Sequence, residues 1–152
     1  MKTTEPVKFD MYEMEYRGGA VDSDFPLIPF DEKFYEQYVK LIDDCYFEMR
    51  KARNIRPYEK HSYSLDGPLK LCENTFLYLV DGEIICAVSC FGNEIGTVAV
   101  NIKYQRQGYG RRLVRFAIDR MQKRGVSPIK LTVTKLNRNA ISLYESLGFV
   151  IT

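Results

Sequence analysis

The sequence predicts an α/β fold on three observations. Apolar residues recur at helical spacing in three segments, they gather into strand-like runs around those segments, and Gly, Pro and Asp-Gly punctuation separates one from the next. The resulting order is β-α-loop-βββ-α-β-α-β. Val7 to Tyr16 mixes apolar and charged residues without strict alternation and is closed by Gly18-Gly19, which predicts an exposed first strand. Pro26 and Pro29 mark a loop. Asp31 then stands where it can cap a helix over roughly residues 31–53, in which Phe34, Tyr38, Leu41, Ile42, Cys45, Met49 and Ala52 keep helical spacing.

Residues 54–72 hold Pro57, Gly67 and Pro68 and show no sustained period, so they read as a loop with at most a short helix. From Thr75 the pattern becomes apolar runs broken by turns: Thr75–Val80, Asp81-Gly82, Glu83–Phe91, Gly92-Asn93, Glu94–Ile102. Asp-Gly favours a two-residue hairpin turn, so these runs predict three consecutive antiparallel strands. After Gly110, the residues Leu113, Val114, Ala117, Ile118 and Met121 fit one helical face, and Gly125 stops that helix. Ile129, Leu131 and Val133 alternate with Lys130, Thr132 and Thr134 as a strand, and Ala140, Leu143, Tyr144 and Leu147 mark a short helix ended by Gly148.

With 152 residues, 45% of them apolar, the chain can close one sizeable core, which predicts a single domain over residues 1–152. No apolar run reaches the length of about 18 residues that a membrane span needs, and Met1 to Pro6 lacks the apolar stretch of a secretory leader. A soluble cytoplasmic protein without a membrane partner is expected. The four cysteines, Cys45, Cys72, Cys86 and Cys90, form no C-x-x-C pair, and one histidine, His61, leaves too few soft ligands for zinc. Reduced core thiols and no metal site are expected. The net charge of +2 is unevenly spread, with a balance of −4 over residues 1–66 and +6 over residues 67–152.

The chemistry concentrates in Gln105-Arg106-Gln107-Gly108-Tyr109-Gly110, between a predicted strand and a predicted helix. The first N–H groups of a helix have no intrahelical partner, glycine at 108 and 110 lets the backbone approach a phosphate, and the helix dipole adds roughly half a positive charge. From Lys103 to Arg124 eight basic residues stand against one acidic residue, Asp119, so the local field suits a pyrophosphate. No Gly-Lys-Ser/Thr follows, and Leu113 stands where G-x-G-x-x-G needs its third glycine, which weakens both nucleotide-loop readings. The basic residues wrap several faces of a helix whose other positions are apolar, so no nucleic-acid partner is expected.

Gln105 to Gly110 resembles the Q/R-x-x-G-x-G/A element of the N-acetyltransferase (GNAT) superfamily, preceded by the strand Thr97-Val98-Ala99-Val100-Asn101. Asn137 to Phe149 resembles the N-x-x-A-x-x-x-Y-x-x-x-G-F ending of the same superfamily. The close resemblance covers about residues 75–149, and the first 74 residues match only in their β-α-loop order. It implies a mixed, mostly antiparallel central sheet flanked by helices on both faces, the acyl-CoA N-acyltransferase fold, splayed near Val98–Asn101. Residues 75–152 would form the half that binds acetyl-CoA and residues 1–74 the acceptor side.

On this resemblance, acetyl-CoA is the cosubstrate, and the backbone of Gln105, Arg106, Gln107, Gly108, Tyr109 and Gly110 cradles its pyrophosphate. Backbone groups of Val98 and Val100 would meet the pantetheine arm, and the Val100 N–H would polarise the thioester carbonyl and hold the oxyanion. Tyr144 matches a tyrosine that protonates the departing thiolate; a phenol with pKa near 10 stays protonated at neutral pH. Asn137 matches a pantetheine-side asparagine and is equally suited to cap a helix. Glu94 matches a glutamate that some relatives use as the base, with His61 as its rival.

The resemblance implies a small-molecule or peptide amine as acceptor, attacked directly without a covalent enzyme intermediate, and Asp43, Asp44, Glu48, Glu59 and Asp66 would suit its charge. The alternative is a non-catalytic acyl-CoA binding or sensing module, which needs no Tyr144 and no base. Relatives continue past the glycine matching Gly148 through a strand hairpin, whereas this chain stops four residues after it, at Thr152. A shortened C-terminal strand region would leave Ile129–Lys135 with an open edge, either in a truncated chain or in one that completes its sheet as a homodimer.

Overall fold

The computed structural model describes residues 11–52 and 74–152. Its elements run β1 (Met11–Tyr16), β2 (Ile28–Pro29), α1 (Tyr35–Ala52), β3 (Thr75–Val80), β4 (Glu83–Phe91), β5 (Glu94–Val100), α2 (Tyr109–Lys123), β6 (Lys130–Thr134), α3 (Arg138–Leu147) and β7 (Phe149–Ile151). Asp31 caps as its sequence position suggests, accepting the Lys33 N–H at 3.0 Å, but the first turn it opens is a 3-10 turn over Glu32–Phe34. The three central strands pair antiparallel as their turns require. No helix among the described residues is long and apolar enough to cross a membrane.

Seven strands form one sheet in the order β2-β3-β4-β5-β6-β1-β7, antiparallel throughout except for β5 beside β6. Successive side chains on β4 serve opposite faces. Cys86 and Val88 pack with Leu113, Val114, Ala117 and Ile118 of α2, whereas Ala87 packs with Tyr38, Leu41 and Ile42 of α1. Helices therefore cover both faces of the sheet.

Two expectations need correcting. The first strand is not an exposed margin: β1 lies between β6 and β7, pairing Glu13 with Thr132 and Tyr16 with Phe149, and Met14 on it is fully buried. Because β1 occupies the far side of β6, the segment Ile129–Lys135 is not an open edge. The bare edge that favoured a homodimer is therefore filled from within the chain. The physical reason is that this pairing joins residues more than a hundred positions apart, which no local pattern encodes.

Burial pushes the thiols of Cys86 up to about 12 and of Cys45 and Cys90 up to about 11, with desolvation as the first cause in each. Cys72 lies outside the described residues. A raised native pKa means that stability is complete below the ordinary thiol value of about 9 and is lost as pH rises towards the native values. The urea midpoint is thus expected to fall from pH 9 upward, and to fall less in a Cys86→Ala/Cys90→Ala variant. An equal fall in both proteins would assign the loss to other groups.

Candidate active site

The site begins with an irregularity in β5. Val98 pairs with Val88 but Ile95 pairs with Cys90, so Gly96 and Thr97 together face Ser89 alone. This is a β-bulge, and it reverses the alternation. Ile95 and Val98, three residues apart, consequently belong to the same α2-side core, while Ala99 joins the α1-side core. Asn101 donates its N–H to the Ile85 carbonyl at 2.8 Å, so in the alternating antiparallel ladder Ala99 also faces β4. Val98 and Val100 turn their peptide groups to the opposite edge.

That edge is open. β5 and β6 pair only at Glu94 and Lys130, with the Lys130 N–H donated to the Asn93 carbonyl at 2.8 Å, and the strands part beyond it. The splay expected near Val98–Asn101 is present. A cavity of about 520 Å³ lies along β5 there, walled by Val98, Ala99 and Val100 of β5, by Asn139, Ala140 and Leu143 of α3, and by Cys45 of α1.

Gln105, Arg106, Gly108, Tyr109, Gly110 and Arg111 close the other end of the cavity. After one 3-10 turn over Ile102–Tyr104, Gln105 folds back and donates its Nε2 to the Val100 carbonyl at 3.1 Å. Cys45 Sγ lies 3.4 Å from the same oxygen as a second donor. Arg106 and Gly108 take positive φ, 66° and 89°, and Gly108 becomes the N-cap of α2 without a side-chain cap. The first N–H groups of α2 thus open onto the cavity. Gly108 is required by its backbone angle, whereas a Cβ on Gly110 would meet Leu143 Cδ2 at an ordinary 3.5 Å. Packing holds the loop in place: the Tyr109 ring lies 6.3 Å from Phe25 and 5.8 Å from Tyr78, and the Arg112 guanidinium sits 3.9 Å above Phe25. Gln122 ties down the segment carrying Phe25, accepting the Val21 N–H at 2.9 Å and donating to the Gly19 carbonyl at 3.0 Å.

The other expected residues stand farther off. Gln107 is exposed and outside the cavity wall. Asn137 caps α3, accepting the Ala140 N–H at 3.2 Å, and is not part of the wall. Tyr144 is buried, its ring 5.9 Å from Phe149 in an edge-on contact, one helical turn after the wall residue Ala140. Glu94 is exposed at the start of β5, roughly 10 Å of strand from Val98 and roughly 17 Å from Val100 once the bulged pair is counted as one step. Its carboxylate therefore cannot touch a carbonyl held at Val100. Being next to Ile95, it faces the α1 side.

Asp43 is buried on α1, and Asp44 pairs with Lys40 at 2.8 Å. Glu48 lies on α1, with its side chain outside the description; Glu59, His61 and Asp66 fall outside the described residues. Among the described residues no group of three or more His, Cys, Asp or Glu side chains is arranged to hold a metal ion. Sequence reasoning missed Cys45 and the α3 wall. The helical spacing of Asn139, Ala140 and Leu143 was a signal for the wall, but Cys45 reads only as a core position on α1.

The chain matches the acetyltransferase (GNAT) family over residues 35–149. It is 54% identical over 52 residues to the ribosomal protein bS18-alanine N-acetyltransferase of Escherichia coli K12, covering 34% of this chain and 35% of that one. It is 32% identical over 125 residues to N-alpha-acetyltransferase 30 of Xenopus laevis, covering 76% of this chain and 45% of that one. The chain thus spans well under two thirds of either relative's length. Its fold is similar to that of the PaiA N-acetyltransferase of Thermoplasma acidophilum in complex with coenzyme A, with a TM-score of 0.67 at 16% identity over 83% of this chain and 89% of that one.

Proposed function

The chain belongs to the acetyltransferase (GNAT) family, and from that premise we propose that it transfers an acetyl group from acetyl-CoA to an amine. The observation that carries the proposal is the open edge of β5: it presents the peptide groups of Val98 and Val100 to a cavity that ends at the uncapped N-terminus of α2. An extended amide chain ending in phosphates fits both ends of such a cavity. The backbone of Gln105 to Gly110 receives the pyrophosphate, with Arg106 and Arg111 adding positive charge. The cosubstrate supplies an activated thioester.

The Val98 and Val100 N–H groups stabilise negative charge on the carbonyl oxygen. Tyr144 protonates the departing thiolate, and Glu94 draws the proton from the amine through water, from the α1 side. Most of the acceleration comes from holding both reactants together and from the oxyanion contact.

The acceptor is the α-amino group of a polypeptide. This rests on the relatives, whose names specify a ribosomal-protein alanine and the N-alpha position. An acceptor of that kind puts the protein in the cytoplasm. An amine panel followed by thiol release tests it: peptides with a free N-terminus should turn over, and N-terminally blocked peptides containing lysine should not. Turnover of polyamines alone would overturn the polypeptide acceptor. In the same assay Glu94→Gln should flatten the low-pH limb of kcat/KM, because the limb reports protonation of the base. A parental profile would remove Glu94 from that role.

A further inference from the structure

The bulge in β5 is clamped by a side chain. Ser89 on β4 is 1% exposed and stands opposite Gly96 and Thr97. Its Oγ accepts the Thr97 N–H at 2.7 Å, an amide that the extra residue takes out of the regular ladder. The same oxygen would lie 2.8 Å from a Cβ on Gly96, with Phe91 Cδ2 at 3.2 Å, so a side chain at 96 would push the hydroxyl off its bond. Hydroxyl, amide and glycine together hold the extra residue at one place along the strand.

We propose that Ser89 is a positioning residue for acyl transfer: its hydroxyl fixes the bulge that turns the Val98 and Val100 N–H groups into the split between β5 and β6. The role rests on the acetyltransferase reading of the cavity. Side chains and peptide groups on a strand alternate with period two, so every residue that a migrating bulge passes changes sides. A bulge moved beyond Val100 would turn Ala99 to the split and hide the N–H groups of Val98 and Val100 against β4. The phosphate-binding loop is tied to Val100 only through Gln105, and it keeps anchors off β5 in the packing of Tyr109 and Arg112 on Phe25. Loosening the clamp therefore acts far more on the acyl end, which needs the Val98 and Val100 N–H groups in place, than on cofactor affinity, which the loop's contacts with Phe25 maintain.

Amide exchange and kinetics together test this. In the parent the Thr97 amide is protected, and in Ser89→Ala it exchanges at least about tenfold faster. The same variant loses about 10²-fold in kcat, the scale of a misplacement near 1 Å, while the Kd for coenzyme A stays within about threefold. Gly96→Ala, which displaces the same hydroxyl, gives the same split, and the two changes combined cost no more than either alone. This variant carries the test if Ser89→Ala does not fold. An unprotected Thr97 amide in the parent, a parental kcat in folded Ser89→Ala, or kcat and coenzyme A affinity falling together would overturn the positioning role. A parent inactive on every amine would instead overturn the acetyltransferase reading itself, a result distinct from any change at Thr97.

Discussion

Gly108→Glu abolishes the thermal stabilisation that acetyl-CoA gives the parent. A ligand at 100 times its Kd adds about 2.7 kcal/mol to native stability, which in a chain of this size raises Tm by roughly 5–10 °C. Two effects remove that gain in the variant. Gly108 sits at φ 89°, a conformation that side-chain-bearing residues rarely adopt, so any substitution strains the turn. A Cβ there meets nothing within 4 Å, which leaves a carboxylate free to lie over the first N–H groups of α2, where it competes with the phosphates and repels them. Gly108→Ala separates the two, because it carries the strain without the charge and should keep part of the shift. Differential scanning fluorimetry with and without cofactor reads all three proteins. A folded Gly108→Glu with the parental shift would show that the anion site lies elsewhere.

Tyr144→Phe lowers kcat by roughly 10²-fold while the fold stays intact, as expected on losing a general acid. The substitution suits the question because it keeps the packed ring. Tyr144 is buried with its ring edge-on to Phe149, and phenylalanine keeps that contact while removing the hydroxyl. If kcat is unchanged, Tyr144 is a core residue of α3 and the thiolate takes its proton from another source. If parent and variant both bind coenzyme A and neither turns over any amine, the acyl-CoA binding module becomes the better description.

The two motifs legible in the sequence are the two that are local. Gln105 to Gly110 and Asn137 to Phe149 each lie within one turn and one helix, so the spacing of Gly108, Asn137 and Gly148 records their backbone geometry directly. The strands Thr75–Val80 and Glu83–Phe91 were readable to the residue for the same reason. Cys45 was not readable as part of the cavity, because its helical spacing marks an inward face and says nothing of which loop that face meets. Glu94 matched a sequence pattern, but its separation from Val100 is a property of the extended strand between them.

By itself, then, the sequence determined the order of the longer elements, the glycine turn at Gly108 and the alternation of helix and strand around it, though not the two-residue strand Ile28–Pro29. Each follows from periodicity and from glycine or asparagine at a turn, interactions that span a few residues. Only the tertiary structure decided that β1 enters between β6 and β7, closing the edge that Ile129–Lys135 would have left open, since strand order depends on contacts the chain makes with itself at long range. The bulge at Gly96 and Thr97 was likewise decided by strand pairing, here within one hairpin. An extra residue exists only relative to a partner strand, and Ser89, whose hydroxyl accepts the Thr97 N–H, lies on that neighbouring strand eight residues earlier in the chain.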